Sequence, residues 1–262
     1  MRSLFFAVAV AGTAVAAAAA GSGASPAPSF RRLLDAGIPI YCGAGTKPYV
    51  ALTFDDGPGP FSAQLVALLR RYHARATFFN IGEKVVRMPR RERLEASVGA
   101  IGDHSYTHPN LITLPPEQIR SELARTQKAI RMTTTQKKVV LFRPPFGDNA
   151  AEILQIGRSL GMLEVMWNED SGDASQASTP SSQEIYRHLV DRVRAGGIVL
   201  MHEDEVLPRT LDALRMFLPV LKQEGLEAVT VPKLLRSDPP SLEQMAKGSG
   251  GCHSHRHPLR PS

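Results

Sequence analysis

Short apolar runs alternate regularly with amphipathic segments from Tyr49 onward, and this alternation constrains the fold more than any other feature. Short apolar runs are typical of strands that are buried on both faces, and the amphipathic segments have the length and spacing of helices. The predicted strands are 50–54, 76–80, 98–101, 139–142, 163–167, 198–202 and 227–231. The predicted helices are 61–72, 116–131, 149–160, 182–194 and 208–224. Strands that alternate with helices form a parallel sheet, so the chain is predicted to be an α/β protein.

Two architectures accommodate about seven strand–helix units in one domain: a (β/α) barrel and an open doubly wound sheet. The sequence has neither an internal repeat nor a recognisable second domain. In both architectures, the side chains that carry chemistry gather at the carboxyl ends of the strands.

Polar residues follow five of the predicted strands. Asp55 and Asp56 follow the first strand, and His202 ends the sixth. Residues 104–108, 143–147 and 168–173 follow the third, fourth and fifth strands. If these strands pair in parallel, all five groups face one opening of the sheet.

The adjacent carboxylates Asp55 and Asp56 repel each other unless a cation or a proton separates them. His104 and His108 are four residues apart, a spacing that places both imidazoles on one side of a helical turn. The same spacing also fits surface or capping histidines. With Asp56 as a third ligand, however, the set matches a catalytic metal site that keeps open positions for water and substrate. Asp55 would then remain free as a general base.

His202 is a candidate general acid for the leaving group, or else a histidine that forms a hydrogen bond within the barrel rim. Leu200 lies two residues earlier, on the same side of the strand, and would line the pocket beside it. Trp167 is either a pocket wall or core filler. Arg143 would keep Asp55 ionised. Asp173 is expected to pair with Arg143, or otherwise to be a solvated loop carboxylate.

The amino-terminal segment resembles a secretory signal peptide. Residues 1–24 hold a single charge, Arg2, followed by an apolar and alanine-rich stretch with a candidate cleavage site near Ala20. An uncleaved membrane anchor is the alternative, since the segment approaches the length that spans a bilayer. We expect a secreted or envelope-associated protein with no stable membrane insertion after signal removal. Residues 25–46 are predicted to be an irregular lead-in.

The chain has two cysteines, Cys42 and Cys252. In an oxidising compartment, thiols near the two ends of a domain suggest a disulfide that joins the tails. The alternative is that residues 252–257, which include three histidines, bind adventitious metal. Residues 237–262 are otherwise predicted to be a flexible tail.

The net charge of +6 has two interpretations. The basic residues can attract the protein to an anionic wall polymer, or they can be ordinary solvated helix surface. Aromatic residues are not interleaved with the basic ones, so nucleic acid is not an expected partner. A monomer is expected.

Taken together, the five polar segments resemble the polysaccharide deacetylase family, also known as the NodB-homology domain or carbohydrate esterase family 4. The resemblance covers residues 47–236. It implies a single distorted (β/α) barrel that binds one divalent metal ion, usually zinc, with cobalt or another divalent ion as alternatives.

The resemblance also implies a role for each matching residue. The metal ligands would be Asp56, His104 and His108. The residues of the proton-transfer machinery would be Asp55 as base, His202 as acid, Arg143 and Asp173. The substrate-binding residues would be Leu200 and Trp167 around the acetyl methyl group, and Phe146 through its backbone N–H. Ala174 stands where many members carry tryptophan, so a wider groove is expected.

The function implied by the resemblance is a secreted, metal-dependent deacetylase acting on polysaccharide that contains N-acetylglucosamine, either peptidoglycan or chitooligosaccharide. An O-acetyl esterase acting on a xylan-type polymer is one alternative. A catalytically inactive module that binds a wall glycan is another.

Overall fold

A curled sheet of parallel strands forms the centre of the computed structural model, which describes residues 30–175, 179–204 and 206–252. The strands in these residues are β1 (Tyr49–Gly57), β2 (Ala76–Asn80), β3 (Gly99–Asp103), β4 (Leu141–Phe142), β5 (Leu163–Glu164), β6 (Glu169–Asp170), β7 (Ile198–His202) and β8 (Glu227–Val229). Their order is β5-β4-β3-β2-β1-β7-β6, and β8 pairs with β1. This seven-strand path, with every pair parallel, confirms the predicted distorted (β/α) barrel with about seven parallel strands.

Helices follow most of the strands. They are α1 (Phe30–Ala36), α2 (Ser62–Arg71), α3 (Gly82–Arg87), α4 (Pro89–Ala96), α5 (Pro116–Thr133), α6 (Ala151–Ser159), α7 (Ser182–Arg192), α8 (Leu207–Gln223), α9 (Val231–Ser237) and α10 (Leu242–Ala246). Short 3₁₀ turns occupy Leu111–Thr113, Pro145–Gly147 and Gly248–Gly251. No helix within the described residues combines the length and the apolar character needed to cross a bilayer.

The central strand β1 has three partners because its two ends pair differently. Along one edge, residues 51–55 pair with β7. Along the other edge, residues 49–51 pair with β8 and residues 53–57 pair with β2. The carboxyl end of β1 therefore lies between β2 and β7, and its last residues are held from both sides.

Alternate residues of the strands face two apolar layers, as the pleat requires. Phe54 and Phe78 point outward and stack at 5.7 Å between ring centroids, in the layer that contacts the helices. Ala51 and Phe79 point inward, into a second cluster inside the curled sheet. Asp55 lies an even number of residues from Ala51, so the strand delivers it to the interior.

The predicted irregular lead-in is partly wrong, because its described portion begins with the helix α1. Ile40 is fully buried and bridges Val165, while Cys42 bridges Gly197, the residue before β7. The apolar side chains Leu33 and Ile40 join the interior cluster, and this burial orders a segment that looks polar and Gly/Pro-rich. Residues 1–29, which include the predicted signal peptide, lie outside the described residues.

The predicted flexible tail is wrong for residues 237–252. The helix α10 begins with a capping box formed by Ser241 and Gln244. The Asp238 carboxylate accepts hydrogen bonds from the backbone N–H groups of Thr46 and Lys47. Such contacts link segments far apart in sequence, so a local pattern does not reveal them. Residues 253–262, with the histidines proposed to bind adventitious metal, lie outside the described residues.

Two helices, α3 and α4, were not predicted between β2 and β3. The sequence of α4, PRRERLEA, is dominated by charged residues and lacks an apolar face. The predicted strand 227–231 also ends early, because Thr230 caps α9 by accepting a hydrogen bond from the Lys233 N–H.

Cys42 and Cys252 form a disulfide with an S–S distance of 2.04 Å. The bond closes a loop between positions separated by 210 residues. In the chain-entropy model, a loop of this length stabilises the folded state by about 5 kcal/mol, less any strain.

Replacing both cysteines with serine is expected to lower the thermal unfolding midpoint, because the unfolded chain regains the entropy of the open loop. Thermal unfolding of this variant and of the wild type, with and without dithiothreitol, measures the effect, and reductant should shift only the wild type. A thiol assay on denatured, unreduced protein should detect no free thiol. Finding two free thiols would contradict the disulfide.

Candidate metal centre and catalytic site

Strand β1 brings both aspartates to one cavity. Asp55 faces inward and pairs in register with His202 at the end of β7. Asp56 has a left-handed backbone with φ of 67°, and the register of β1 against β2 shifts between Asp55 and Gly57. This bulge breaks the alternation of the strand, so both carboxylates line the same cavity.

The two histidines lie on the loop after β3, and this loop is not the helical turn that their spacing predicted. Ser105 and His108 have positive φ values of 61° and 59°. The Asp103 carboxylate accepts a hydrogen bond from the Ser105 N–H, and the Ser105 hydroxyl accepts one from the His108 N–H. This tight loop still brings the two imidazoles together, with 5.0 Å between ring centroids.

Both imidazoles face one oxygen of Asp56. Asp56 Oδ1 lies 3.5 Å from His104 Nε2 and 3.1 Å from His108 Nε2. This oxygen is buried and has no hydrogen-bond partner of suitable geometry. The three donor atoms lie within 4.8 Å of one another. A buried, unpartnered carboxylate oxygen that faces two ring nitrogens fits a divalent cation.

The charge states of these residues also suit a metal. His104 donates from Nδ1 to the Arg143 carbonyl oxygen at 2.7 Å, which leaves Nε2 free as a ligand atom. Burial lowers the pKa of His104 despite the nearby aspartates, which favours the neutral imidazole that metals bind. Burial alone would raise the pKa of Asp56, but the two histidines outweigh it and hold this pKa well below its usual range.

Arg143 is fully buried and holds Asp55 in place. Its Nη1 donates to Asp55 Oδ1 at 2.7 Å and to the Thr53 hydroxyl at 2.9 Å. Its Nε donates to the carbonyl oxygen of Val165, and its Nη2 donates to that of Met166. Since all three nitrogens of the guanidinium have a partner, Arg143 can compensate the buried charge of Asp55.

The predicted pairing of Asp173 with Arg143 is wrong. Asp173 instead accepts a hydrogen bond from His202 Nδ1 at 2.8 Å and one from the His202 backbone N–H at 2.9 Å. The Thr210 hydroxyl donates to the same carboxylate. Asp173 is therefore neither solvated nor a partner of Arg143, and it orients the imidazole of His202.

This contact changes the acidity of His202. Burial lowers the pKa of His202, but the hydrogen bond and charge of Asp173, together with the charges of Asp55 and Asp56, outweigh it and raise the pKa to about 9. His202 is thus protonated at neutral pH and can donate from Nε2 into the cavity.

The side chains of Asp55, Asp56, His104, His108 and His202 line one cavity of about 600 Å³. Leu200 and Trp167 form part of its wall. Phe146 is 63% exposed and sets its ring edge-on to His108, with 4.8 Å between centroids. Its φ of 61° belongs to the sharp turn after β4. Ala174 also lines the cavity and is exposed there.

Sequence reasoning missed four polar residues that line the same cavity: Ser175, His188, Arg192 and Asp204. His188 and Arg192 lie on α7, whose position over the cleft depends on tertiary packing. The His188 ring approaches Gly172 so closely that a Cβ at Gly172 would lie 2.8 Å from Nδ1. In the sequence, only the glycine at position 172 could have indicated that another side chain packs closely against this backbone.

Comparison with known proteins places this geometry in a family. A family model described as polysaccharide deacetylase matches residues 43–165. A peptidoglycan-N-acetylglucosamine deacetylase of Bacillus cereus is 34% identical over 190 residues, which cover 71% of this chain and 88% of that protein. A bifunctional xylanase/xylan deacetylase of Cellvibrio japonicus is 35% identical over 185 residues, which cover 70% of this chain but only 27% of that protein.

A solved structure shares the fold. A pseudoenzyme of carbohydrate esterase family 4 from Bacillus anthracis superposes with a TM-score of 0.70 at 31% identity, covering 77% of this chain and 69% of that chain. The sequence match to the Bacillus cereus protein is extensive enough to establish the relationship independently. The chain therefore belongs to the polysaccharide deacetylase family, carbohydrate esterase family 4.

Proposed function

We propose that this hydrolase of the polysaccharide deacetylase type is secreted, holds zinc, and removes acetyl groups from N-acetylglucosamine units of peptidoglycan or chitooligosaccharide. One observation carries the proposal: the Asp56, His104 and His108 donor atoms meet beside two oriented pairs, Asp55 with Arg143 and His202 with Asp173. The first set suits a metal, and the two pairs suit a base and an acid.

The proposed ligands of the metal ion are Asp56, His104 and His108. A bound divalent metal would supply Lewis acidity toward the acetyl carbonyl and would acidify water in the cavity. Asp55 accepts the proton of the attacking water, and Arg143 holds this carboxylate in place through a hydrogen bond. His202 donates its Nε2 proton to the departing sugar nitrogen, while Asp173 stabilises the imidazolium before transfer.

Other residues position the acetyl group in this mechanism. Leu200 and Trp167 offer apolar surface to its methyl carbon. The Phe146 backbone N–H is the proposed donor to the oxygen on which negative charge develops, a role that does not depend on the side chain. The small side chain of Ala174 leaves that side of the cleft open to a polymer substrate.

Relatives favour different substrates, so the substrate requires a direct test. The Bacillus cereus relative supports peptidoglycan, whereas the name of the Cellvibrio japonicus relative supports an O-acetyl esterase acting on xylan. The Bacillus anthracis neighbour raises the alternative of an inactive wall-glycan-binding module. The presence of Asp55 and His202 in oriented pairs argues against that module, because binding does not require both.

Acetate release from peptidoglycan, chitooligosaccharide and acetylxylan should separate these functions. We expect release from at least one N-acetylated polymer, loss of release after treatment with a chelator, and recovery when zinc is added. Release from acetylxylan alone would favour the esterase. No release from any polymer by zinc-loaded protein that binds glycan would favour the inactive module.

Two variants should separate proton transfer from metal binding. Asp55→Asn is expected to retain zinc but to lose turnover by a factor of roughly a hundred or more, because the water lacks its base. His104→Ala is expected to lose zinc as well as turnover. Metal analysis of the purified proteins and acetate release measure both effects, and His188→Ala is the control for zinc content. Full activity in Asp55→Asn, or equal zinc in His104→Ala, would contradict the assigned roles.

The pH dependence of turnover should report His202. Because the acid must be protonated, activity is expected to fall as the pH rises through about 9, the pKa of His202. Asp173→Asn removes the carboxylate that raises this pKa, so the alkaline limb should move to lower pH by roughly one unit or more. Profiles of kcat/KM against pH test this shift. An alkaline limb at the same pH in wild type and variant would remove His202 or its partner from the acid role.

A further inference from the structure

A second group of ionisable side chains lies behind the catalytic residues, on the outer side of the sheet. We call the set Asn80, Glu92, Glu95 and Glu203 the carboxyl network. All four side chains are fully buried. Asn80 Nδ2 bonds to Glu92 Oε2 at 2.5 Å and to Glu95 Oε2 at 2.6 Å. Glu203 lies within hydrogen-bonding reach of Glu95 and beside Ser62 at the start of α2, whose hydroxyl donates to the Gly59 carbonyl oxygen.

The network has too few donors for three ionised carboxylates. Hydrogen-bond donors are missing for one oxygen of Glu92, one of Glu95 and both of Glu203. The side-chain carbonyl oxygen of Asn80 also has no donor. Burying unpaired carboxylates together costs several kcal/mol for each ion. A proton between Glu95 and Glu203 would turn two repelling acceptors into a hydrogen bond.

A bound metal ion accounts for this excess of acceptors less well than bound protons do. Among the described residues, only Asp56, His104 and His108 bring three metal-binding side chains within 4.8 Å. The titratable and charged groups facing the network are its own glutamates, two from α4 and one after β7, and Lys84 from α3. The Lys84 ammonium is bonded to the Asp56 carbonyl oxygen at 2.7 Å. Burial raises the pKa of Glu92 to about 8, and it raises the pKa values of Glu95 and Glu203 in the same direction.

The network touches the backbone that carries the catalytic aspartates. The Glu203 N–H donates to the Asp55 carbonyl oxygen at 2.8 Å. A Cβ at Gly57 would lie 2.6 Å from Asn80 Oδ1 and 2.9 Å from Glu203 Oε2, and one at Gly59 would lie 2.2 Å from the Glu203 carbonyl oxygen. The turn after Asp56 therefore packs directly on Asn80 and Glu203. Since Glu203 directly follows His202 in the chain, it connects the end of β1, which carries Asp55, to the end of β7, which carries His202.

We propose that Glu203 is a positioning residue, and that the carboxyl network carries protons which let it hold the Asp55–Gly59 turn in register with His202. Glu203 acts through backbone and packing contacts and does not touch substrate. The catalytic part of this proposal rests on the proposed function, whereas the proton content of the network does not.

Paired substitutions test the positioning role. Glu203→Gln keeps the shape and hydrogen bonds of a protonated acid, so its turnover is expected to stay within about twofold of wild type. Glu203→Ala removes them, and a displaced turn should lower kcat by roughly tenfold or more with little change in KM. It should also weaken zinc binding, measured by equilibrium dialysis. Wild-type kcat and zinc affinity in a folded Glu203→Ala would overturn the positioning role, whereas an equal loss in Glu203→Gln would contradict a protonated Glu203.

Unfolding as a function of pH tests the proton content. A carboxyl whose pKa is raised by folding contributes stability that is fully present below its unfolded pKa, near 4.3, and is lost as the pH rises through its folded value. The thermal unfolding midpoint of the wild type should therefore be lower at pH 9 than at pH 6. The difference between the two pH values should be smaller for Glu95→Gln. Glu117→Gln, at an exposed position on α5, is the matched control and should follow wild type.

The two proposals fail in different ways. A Glu95→Gln variant that is much less stable than wild type at pH 6, or that keeps the full loss between pH 6 and pH 9, would overturn the protonated network whatever the enzyme does. If wild-type protein releases no acetate from any polymer, the proposed function fails. The zinc-affinity and unfolding measurements still decide the role of Glu203 in that case. If Glu203→Ala does not fold, the decision passes to Glu203→Gln, whose loss of zinc affinity would contradict a protonated Glu203.

Discussion

The buried ion pair between Arg143 and Asp55 is the interaction on which the rest of the site depends. The guanidinium is fully buried and also bonds to Thr53, Val165 and Met166, so it ties β1 to the segments that follow β4 and β5. Removing either partner would leave a charge buried without compensation, at a cost of roughly 3–5 kcal/mol. In our proposal, the same contact that makes Asp55 available as a base therefore also connects strands across the interior of the curled sheet.

Parallel strands concentrate charge at one edge, and this molecule stabilises that charge in four ways. Asp55 pairs with the guanidinium of Arg143, and Asp56 lies with two imidazoles in a set that could hold a metal ion. Asp173 stabilises the protonated form of His202. In our proposal, the three buried glutamates behind the turn rely on protons. These different surroundings, in our proposal, allow one edge to present a base, an acid and a ligand set together.

Residues close together in sequence could be assigned from the sequence, whereas contacts between distant segments could not. The strand ends and the aspartate and histidine motifs were predictable because apolar periodicity and ligand chemistry are local. The partner of Asp173 was not, because the direction of a loop carboxylate depends on how β7 and α8 pack. Glu92 and Glu95 resemble surface charges within PRRERLEA, and only the fold reveals that they are buried. The lead-in and the last helix were missed because they are ordered by each other and by the sheet.

The contacts of the lead-in and the last helix have a consequence for attachment. Asp238 holds Thr46 just before β1, and Gly43 bonds to Gly196 just before β7. These contacts lie at the amino ends of the central strands, whereas the cavity opens at their carboxyl ends. Cys252 is bonded to Cys42, which bridges Gly197 just before β7, so a tether joined to the carboxyl end of the described chain would hold the molecule on the side opposite the cavity. The cleft would then point away from the anchoring surface, toward strands of polymer that pass in front of it.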